Sequence, residues 1–124
     1  MTTKIRTLAG QELEIMKVVW DLQTATVRDV YEALLRRRKI AYTTVMTMMN
    51  ILETKKYLKK RTQNRAYVYQ ATRPRSQVIK AMVREFVDRV FNGSAEPLLV
   101  QIIKDRRLSR KELEDLARTV EEAE

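Results

Sequence analysis

Leu13, Met16, Val19 and Trp20 stand three or four positions apart in "QELEIMKVVWDL" (11–22), the spacing that gathers side chains onto one face of a helix. The β-branched "TATV" (24–27) is too short for a helix and reads as a strand stub. Thr26 then offers an N-cap with Asp29 in the first turn, and Val27, Val30, Tyr31, Leu34 and Leu35 carry a second helix into the basic run Arg36–Lys39. In "AYTTVMTMMNILETKK" (41–56), Thr43 is the expected cap. At about 100° per residue, Val45, Met48, Met49 and Leu52 share one arc, which predicts the buried face. The opposite side carries Thr43, Thr47, Asn50 and Thr54, with Thr44, Ile51 and Met46 at its borders. The period then changes from helical to alternating. Two β-rich runs in "YLKKRTQNRAYVYQAT" (57–72) flank a turn-forming "TQNR", predicting a hairpin with Arg61 and Arg65 near its tip and Tyr67 and Tyr69 as strand packing.

Pro74 marks the next change. Ile79, Met82, Val83, Phe86 and Val90 line one face of "SQVIKAMVREFVDRVF" (76–91), and Asn92-Gly93 stops it. Leu98, Leu99, Ile102 and Ile103 predict a short helix with Pro97 in its first turn. Ser109-Arg110-Lys111-Glu112 matches a capping box ahead of Leu113, Leu116 and Val120. The expected fold is mainly α: a winged helix-turn-helix with a small β-hairpin wing over 1–73, followed by a three-helix segment over 74–124.

Composition narrows the chemistry. The chain has 124 residues, no Cys and no His, and two glycines. Most nucleophile–base pairs and most zinc sites are therefore unavailable, and no Gly-rich phosphate loop can form. An enzyme is not expected, nor a cofactor or metal. No apolar run is long enough to span a membrane, the N-terminus is not a secretory signal, and cytosol is the default compartment. The net charge is +9, and its placement is more informative than its size. Residues 1–74 hold fifteen Lys and Arg against six Asp and Glu; residues 75–124 hold ten of each. A polyanion-binding module joined to an electrically neutral one fits this asymmetry.

"AYTTVMTMMN" (41–50) carries no charge, yet Arg36–Lys39 precede it and Lys55-Lys56 and Lys59–Arg61 follow. A helix about 10–12 Å wide fits the DNA major groove, where phosphates form the walls and base edges the floor. Cations meet phosphates and neutral polar groups meet bases. Thr43, Thr44, Met46, Thr47 and Asn50 are the candidate base readers: threonine methyls and Met46 toward thymine methyls, Asn50 toward an adenine edge. Arg28, Lys39, Tyr42, Lys55, Lys60, Arg61 and Arg65 are the candidates for the DNA backbone. Blander readings stand beside these: a threonine-rich face can be merely solvated, and Arg36–Lys39 can simply complement a helix dipole.

Some 50 residues of tail have little core of their own. A second copy of the chain is the simplest cover for Ile79, Met82, Val83, Phe86, Val90, Leu98, Leu99, Ile102, Leu113 and Leu116; packing back onto the winged domain is the alternative. A two-fold dimer predicts a palindromic double-stranded DNA site. Two other functions remain open, a winged-helix protein-interaction adaptor and a non-specific nucleoid binder.

"LEIMKVVWD" (13–21), "TVRDVYEALL" (26–35), "AYTTVMTMMNILETKKYL" (41–58), "RAYVYQA" (65–71), "FVDRVFNGS" (86–94) and "LSRKELEDL" (108–116) together resemble the penicillinase-repressor family of the BlaI, MecI and CopY type. The resemblance implies a homodimer that represses transcription at a dyad-symmetric operator, with readout by Thr43, Thr44, Met46, Thr47 and Asn50 and wing support from Arg61 and Arg65. In antibiotic-responsive members a sensor-linked protease relieves repression by cutting an Asn-Phe bond. The aligned pair here is Gln101-Ile102, which departs from that pattern. The Cys-rich site of copper-responsive members is missing, and Ala9-Gly10 stands where the family often has a Thr or Ser cap.

Overall fold

The computed structural model describes residue 8, residues 10–106 and residues 109–123, with the backbone alone at 106, 113, 116 and 119–123. The expectations for a cap at Ala9 and for the side chains of Leu113 and Leu116 lie outside the described residues. The elements follow the order α1 (Gly10–Leu22), β1 (Thr24–Ala25), α2 (Val27–Leu35), α3 (Tyr42–Thr54), β2 (Leu58–Gln63), β3 (Ala66–Ala71), α4 (Arg75–Phe91), α5 (Glu96–Arg106) and α6 (Arg110–Ala123). The chain divides into two compact units, with the boundary between Met82 and Val83, inside α4.

The N-terminal unit is three helices backed by a three-stranded antiparallel sheet of order β1-β3-β2. Ile15, Met16 and Val19 from α1, Val30 and Leu34 from α2, and Val45, Met49 and Leu52 from α3 are fully buried together. Burying each such side chain stabilises the fold by roughly 1.5–3 kcal/mol relative to leaving it in water. Thr26 caps α2 as expected. Its Oγ1 accepts from the Asp29 N–H at 3.0 Å, and the Thr26 N–H donates to Asp29 Oδ2 at 2.9 Å, a complete capping box.

Two expectations about α3 and α4 need correction. Thr43 does not cap α3: the helix begins at Tyr42, with Ala41 in the extended cap position and no side chain bonding across it. Thr43 and Thr44 thus lie inside the first turn, exposed. Met82, expected at an interface between copies, instead packs against the N-terminal core, and Val78, which the stripe of Ile79, Met82 and Val83 passes over, is fully buried there. The first two turns of α4 therefore complete the N-terminal unit. Trp20 Nε1 donates to the Arg73 carbonyl at 3.0 Å and ties α1 to the chain just before α4.

α3 ends in a Schellman turn. Lys56 adopts the left-handed conformation, its N–H donating to Glu53 O and the Tyr57 N–H to Leu52 O, each at 2.9 Å. The chain thereby turns into β2 with Tyr57 and Leu58 buried. The hairpin is tighter than "TQNR" suggests. Gln63 pairs with Ala66, so the turn is Asn64-Arg65 alone, both at positive φ (50° and 65°). That is the geometry two-residue hairpins favour, and its second position normally goes to glycine.

In the second unit, α4 stops at Phe91, where Asn92 and Gly93 take positive φ as expected of a helix stop. Phe86 and Phe91 meet edge to face at 6.0 Å. Pro97 sits in the first turn of α5, and Ser109 Oγ accepts from the Glu112 N–H at 3.2 Å to open α6.

If the start of α4 belongs to the N-terminal core, Val78→Ala should lower that unit's stability by about 1–3 kcal/mol. Val83→Ala, on an exposed site, should change it by less than about 0.5 kcal/mol. Urea unfolding followed by Trp20 fluorescence checks both.

Candidate nucleic-acid interface

With Val45, Met49 and Leu52 turned inward, α3 offers a continuous outward strip of Thr43, Thr44, Met46, Thr47, Asn50 and Thr54, all exposed. No charged side chain interrupts it. Tyr42, at its start, meets Tyr31 of α2 edge to face at 5.4 Å, which fixes the first turn against α2. Two hollows flank the strip. One, of about 480 Å³, lies between the start of α2 (Thr26, Val27, Arg28), α3 (Tyr42, Met46, Asn50) and the wing (Lys60, Ala66, Tyr67, Tyr69). The other, of about 320 Å³, is lined by Thr47, Asn50, Ile51, Thr54 and Lys55. Asn50 borders both.

The candidate cations separate into two groups. Lys39, Arg61 and Arg65 are exposed, Arg65 at the hairpin tip. Arg61 pairs with Val68 and so lies on the ribbon face opposite Lys60. Arg28 is exposed and bonded to Glu32 at 3.2 Å along its own helix, a contact of little strength in water. Lys55 is different. Its Nζ sits 2.9 Å from Glu12 Oε1, and their side chains are only 21% and 7% exposed. This pair joins α1 to the end of α3, so Lys55, expected at the DNA backbone, is engaged within the fold. Lys60 is also committed within the fold: its Nζ lies 3.6 Å from Glu53 and 4.7 Å above the Tyr67 ring. Within the preceding basic run, Arg38 binds Glu14 Oε1 through Nη2 (2.8 Å) and Nε (3.2 Å). That bond is the main reason its pKa is raised, against a smaller opposing effect of burial.

The two wing tyrosines differ. Tyr69 is buried, as expected of strand packing, whereas Tyr67, one rung from the hairpin turn, is 58% exposed. Tyr69 Oη donates to Asn50 Oδ1 at 3.2 Å, a contact that the sequence did not indicate. Burial pushes the Tyr69 hydroxyl's pKa up, with Lys60 nearby pulling the other way, so the group stays protonated and able to donate. An asparagine whose carbonyl is already engaged is not poised for the two-bond adenine contact expected of it.

The contacts expected of the tail are mostly exposed: Val83, Phe86, Val90, Leu99 and Ile102 are 37–51% accessible, while Ile79 and Leu98 are half-buried. Gln101 and Ile102 lie in mid-α5, and Gln101 Nε2 donates to Asp105 at 3.1 Å. Among the described residues no helix is long and apolar enough to cross a membrane.

A helix, a strand stub, two more helices and a hairpin in this order define a winged helix-turn-helix, the scaffold of many DNA-binding regulators. Residues 8–122 match the family model described as penicillinase repressor, and the chain belongs to that family. Among its relatives are the transcriptional regulator BlaI of Mycobacterium tuberculosis, 32% identical over 98% of this chain and 88% of that protein. The penicillinase repressor of Bacillus licheniformis is 27% identical over 96% and 93%. The solution structure of the monomeric form of BlaI from Bacillus licheniformis, in complex with the blaP half-operator, covers 60% of this chain and 92% of its own, with a TM-score of 0.52 and 28% identity. Reduced MarR from E. coli, at 10% identity and a TM-score of 0.51, shares the fold over 94% of this chain and 77% of its own. The chain is a DNA-binding transcriptional repressor and not an enzyme.

Lys55→Met removes the cation opposite a nearly buried carboxylate and should destabilise the N-terminal unit by about 2–4 kcal/mol. If the pair with Glu12 keeps Lys55 from the phosphates, the slope of log affinity for duplex DNA against log salt should not change. Chemical denaturation and a salt titration by fluorescence anisotropy check the two halves.

Proposed function

We propose that two copies of the chain bind a dyad-symmetric operator and repress the adjoining promoter. Each copy lays the uncharged strip of α3 in the major groove. Thr43, Thr44, Met46 and Thr47 read base edges from the first two turns, and Asn50 reads from the third. Lys39, Arg61 and Arg65, with Arg28 and Tyr42 at the mouth of the larger hollow, hold the sugar–phosphate backbone. The carrying observation is that strip: an exposed, charge-free helix face bordered by exposed cations. Kinship with a protein solved on its half-operator supports it.

Arg65 adds a second argument. Holding a non-glycine residue at φ 65° costs on the order of 1 kcal/mol, which glycine would avoid. A cation kept there in spite of the strain is suited to reaching a backbone or a minor groove beside the wing.

The tail would supply the two-fold. Val83, Phe86, Val90, Leu99, Val100, Ile102 and Ile103 are exposed apolar side chains of one small unit, and a second copy covers them at least cost. Relief of repression by a cut between Gln101 and Ile102 would first require that turn of α5 to unwind, because a helical peptide bond is not extended as a protease cleft needs.

Selection from a randomised duplex library should enrich a palindrome. Affinity for it should fall steeply with salt, and Arg65→Gly should weaken all duplexes alike while lowering the salt slope by about one. Thr47→Ala should instead cost about 1–3 kcal/mol at particular base pairs only. Equal affinity for enriched and scrambled duplexes would leave only a non-specific binder. Separately, Phe86→Asp should convert a dimer into a monomer in analytical ultracentrifugation and lower affinity for the full palindrome much more than for a half-site; a wild-type chain that sediments as a monomer at micromolar concentration contradicts the two-fold.

A further inference from the structure

The contact between the wing and the reading helix carries a consequence for specificity. Tyr69 Oη donates to Asn50 Oδ1 at 3.2 Å, from a ring that is buried and cannot swing away. The same rung of the hairpin meets α3 a second time, since Lys60 pairs with Tyr69 across the ladder and reaches Glu53 at 3.6 Å. Glu53 lies three positions beyond Asn50, just under a full turn, on the same flank of α3. The backbone below Asn50 is held as well, because Thr54 Oγ1 donates to the Asn50 carbonyl at 3.1 Å. A carboxamide is planar, so fixing its oxygen toward the wing fixes its NH₂ on the other limb. Asn50 is exposed, and it borders the second hollow along the strip, away from the wing.

We infer that Tyr69 is a positioning residue for specificity: it claims the Asn50 carbonyl and so makes Asn50 a donor-only reader of the major groove. This rests on the operator-binding reading above. A reader that only donates seeks acceptors. Guanine offers two, N7 and O6, with no donor beside them; thymine offers O4; adenine sets its N6 donor next to N7; cytosine offers only a donor. The position facing Asn50 should therefore prefer guanine and reject cytosine. Without the Tyr69 hydroxyl the carboxamide is free to turn over and present either limb, so the preference should relax without loss of the helix or the wing.

The test compares the wild-type chain, Tyr69→Phe, Asn50→Ala and the double variant in selections from one randomised duplex library. One position of the enriched site should favour guanine in the wild type and lose that preference in Asn50→Ala. Tyr69→Phe should weaken the preference there by about 3–10-fold, the worth of one hydrogen bond, leave the other positions unchanged, and have no effect in the Asn50→Ala background. A purely structural role for Tyr69 would instead lower affinity for every sequence. Replacing the facing guanine by 7-deazaguanine should weaken the wild type by a similar factor and leave Asn50→Ala unmoved, a readout that does not depend on any variant of Tyr69 folding. An enriched site whose profile Tyr69→Phe leaves intact, or a preference for cytosine at the Asn50 position, overturns this inference alone. A wild-type chain that enriches no sequence overturns the operator reading and this inference together.

Discussion

The rotation of α3 about its own axis is the constraint on which the rest depends. Val45, Met49 and Leu52 are fully buried against α1, α2 and the hairpin, and a helix with one stripe so engaged has no freedom to turn. Turning it by a single residue, roughly 100°, would bring either Asn50 and Glu53 or Thr44 toward an apolar core, a buried polar group costing about 1–3 kcal/mol if left without a partner, and would return valine and methionine to water. Burial on one side thus selects what the other side shows. The alternation of apolar and threonine residues in "TTVMTMM" serves both sides at once.

The exit from α3 positions the wing. The left-handed Lys56 and the buried Tyr57 and Leu58 aim β2 back across the core, and Thr72 closes the far end of the hairpin by donating from Oγ1 to the Lys56 carbonyl at 2.7 Å. Two side-chain ties then join wing to helix, Lys60 to Glu53 and Tyr69 to Asn50. The wing and α3 are thereby linked at two points, which sets the offset between cations at the hairpin tip and neutral groups on the helix. That offset matters because phosphates and base edges recur at set distances along a duplex.

Much of this was legible in the sequence, for reasons that differ by element. The helices and hairpin could be read because their periods are strong and their punctuation is local: the Thr26–Asp29 box, the Asn92-Gly93 stop and the change to alternation at Tyr57 all act within a few residues. The outward strip could be read because it is the geometric complement of the buried one. The features hidden from the sequence depend on partners far away along the chain. Nothing near Lys55 shows that Glu12 will meet it, and nothing near Asn50 shows that Tyr69 will reach it; these contacts exist only once the core has brought the elements together. The start of α4 was hidden for another reason. Its apolar stripe is continuous from Val78 to Val90, so periodicity alone cannot say which turns face the N-terminal core. The Ala41 cap was obscured because Thr43 is a better capping residue, yet tertiary packing of Tyr42 on Tyr31 starts the helix earlier.

A helix lying in a groove has room for only four or five outward side chains over its central turns, and these must do one kind of work. A lysine or arginine there would be drawn to the nearest phosphate and add affinity for every sequence. A threonine or asparagine adds little affinity but a kcal/mol or more of discrimination per base pair. The chain resolves the conflict by position. Its neutral groups occupy α3, while exposed cations lie on the flanking turns and the wing; two of the nearby lysines, Lys55 and Lys60, are paired with Glu12 and Glu53. Those two pairs draw positive charge away from the uncharged strip of α3 while using it to hold α3 in place. Net charge counted over the sequence is unaffected by such pairing, but the number of cations able to displace counterions from DNA is smaller than the composition suggests.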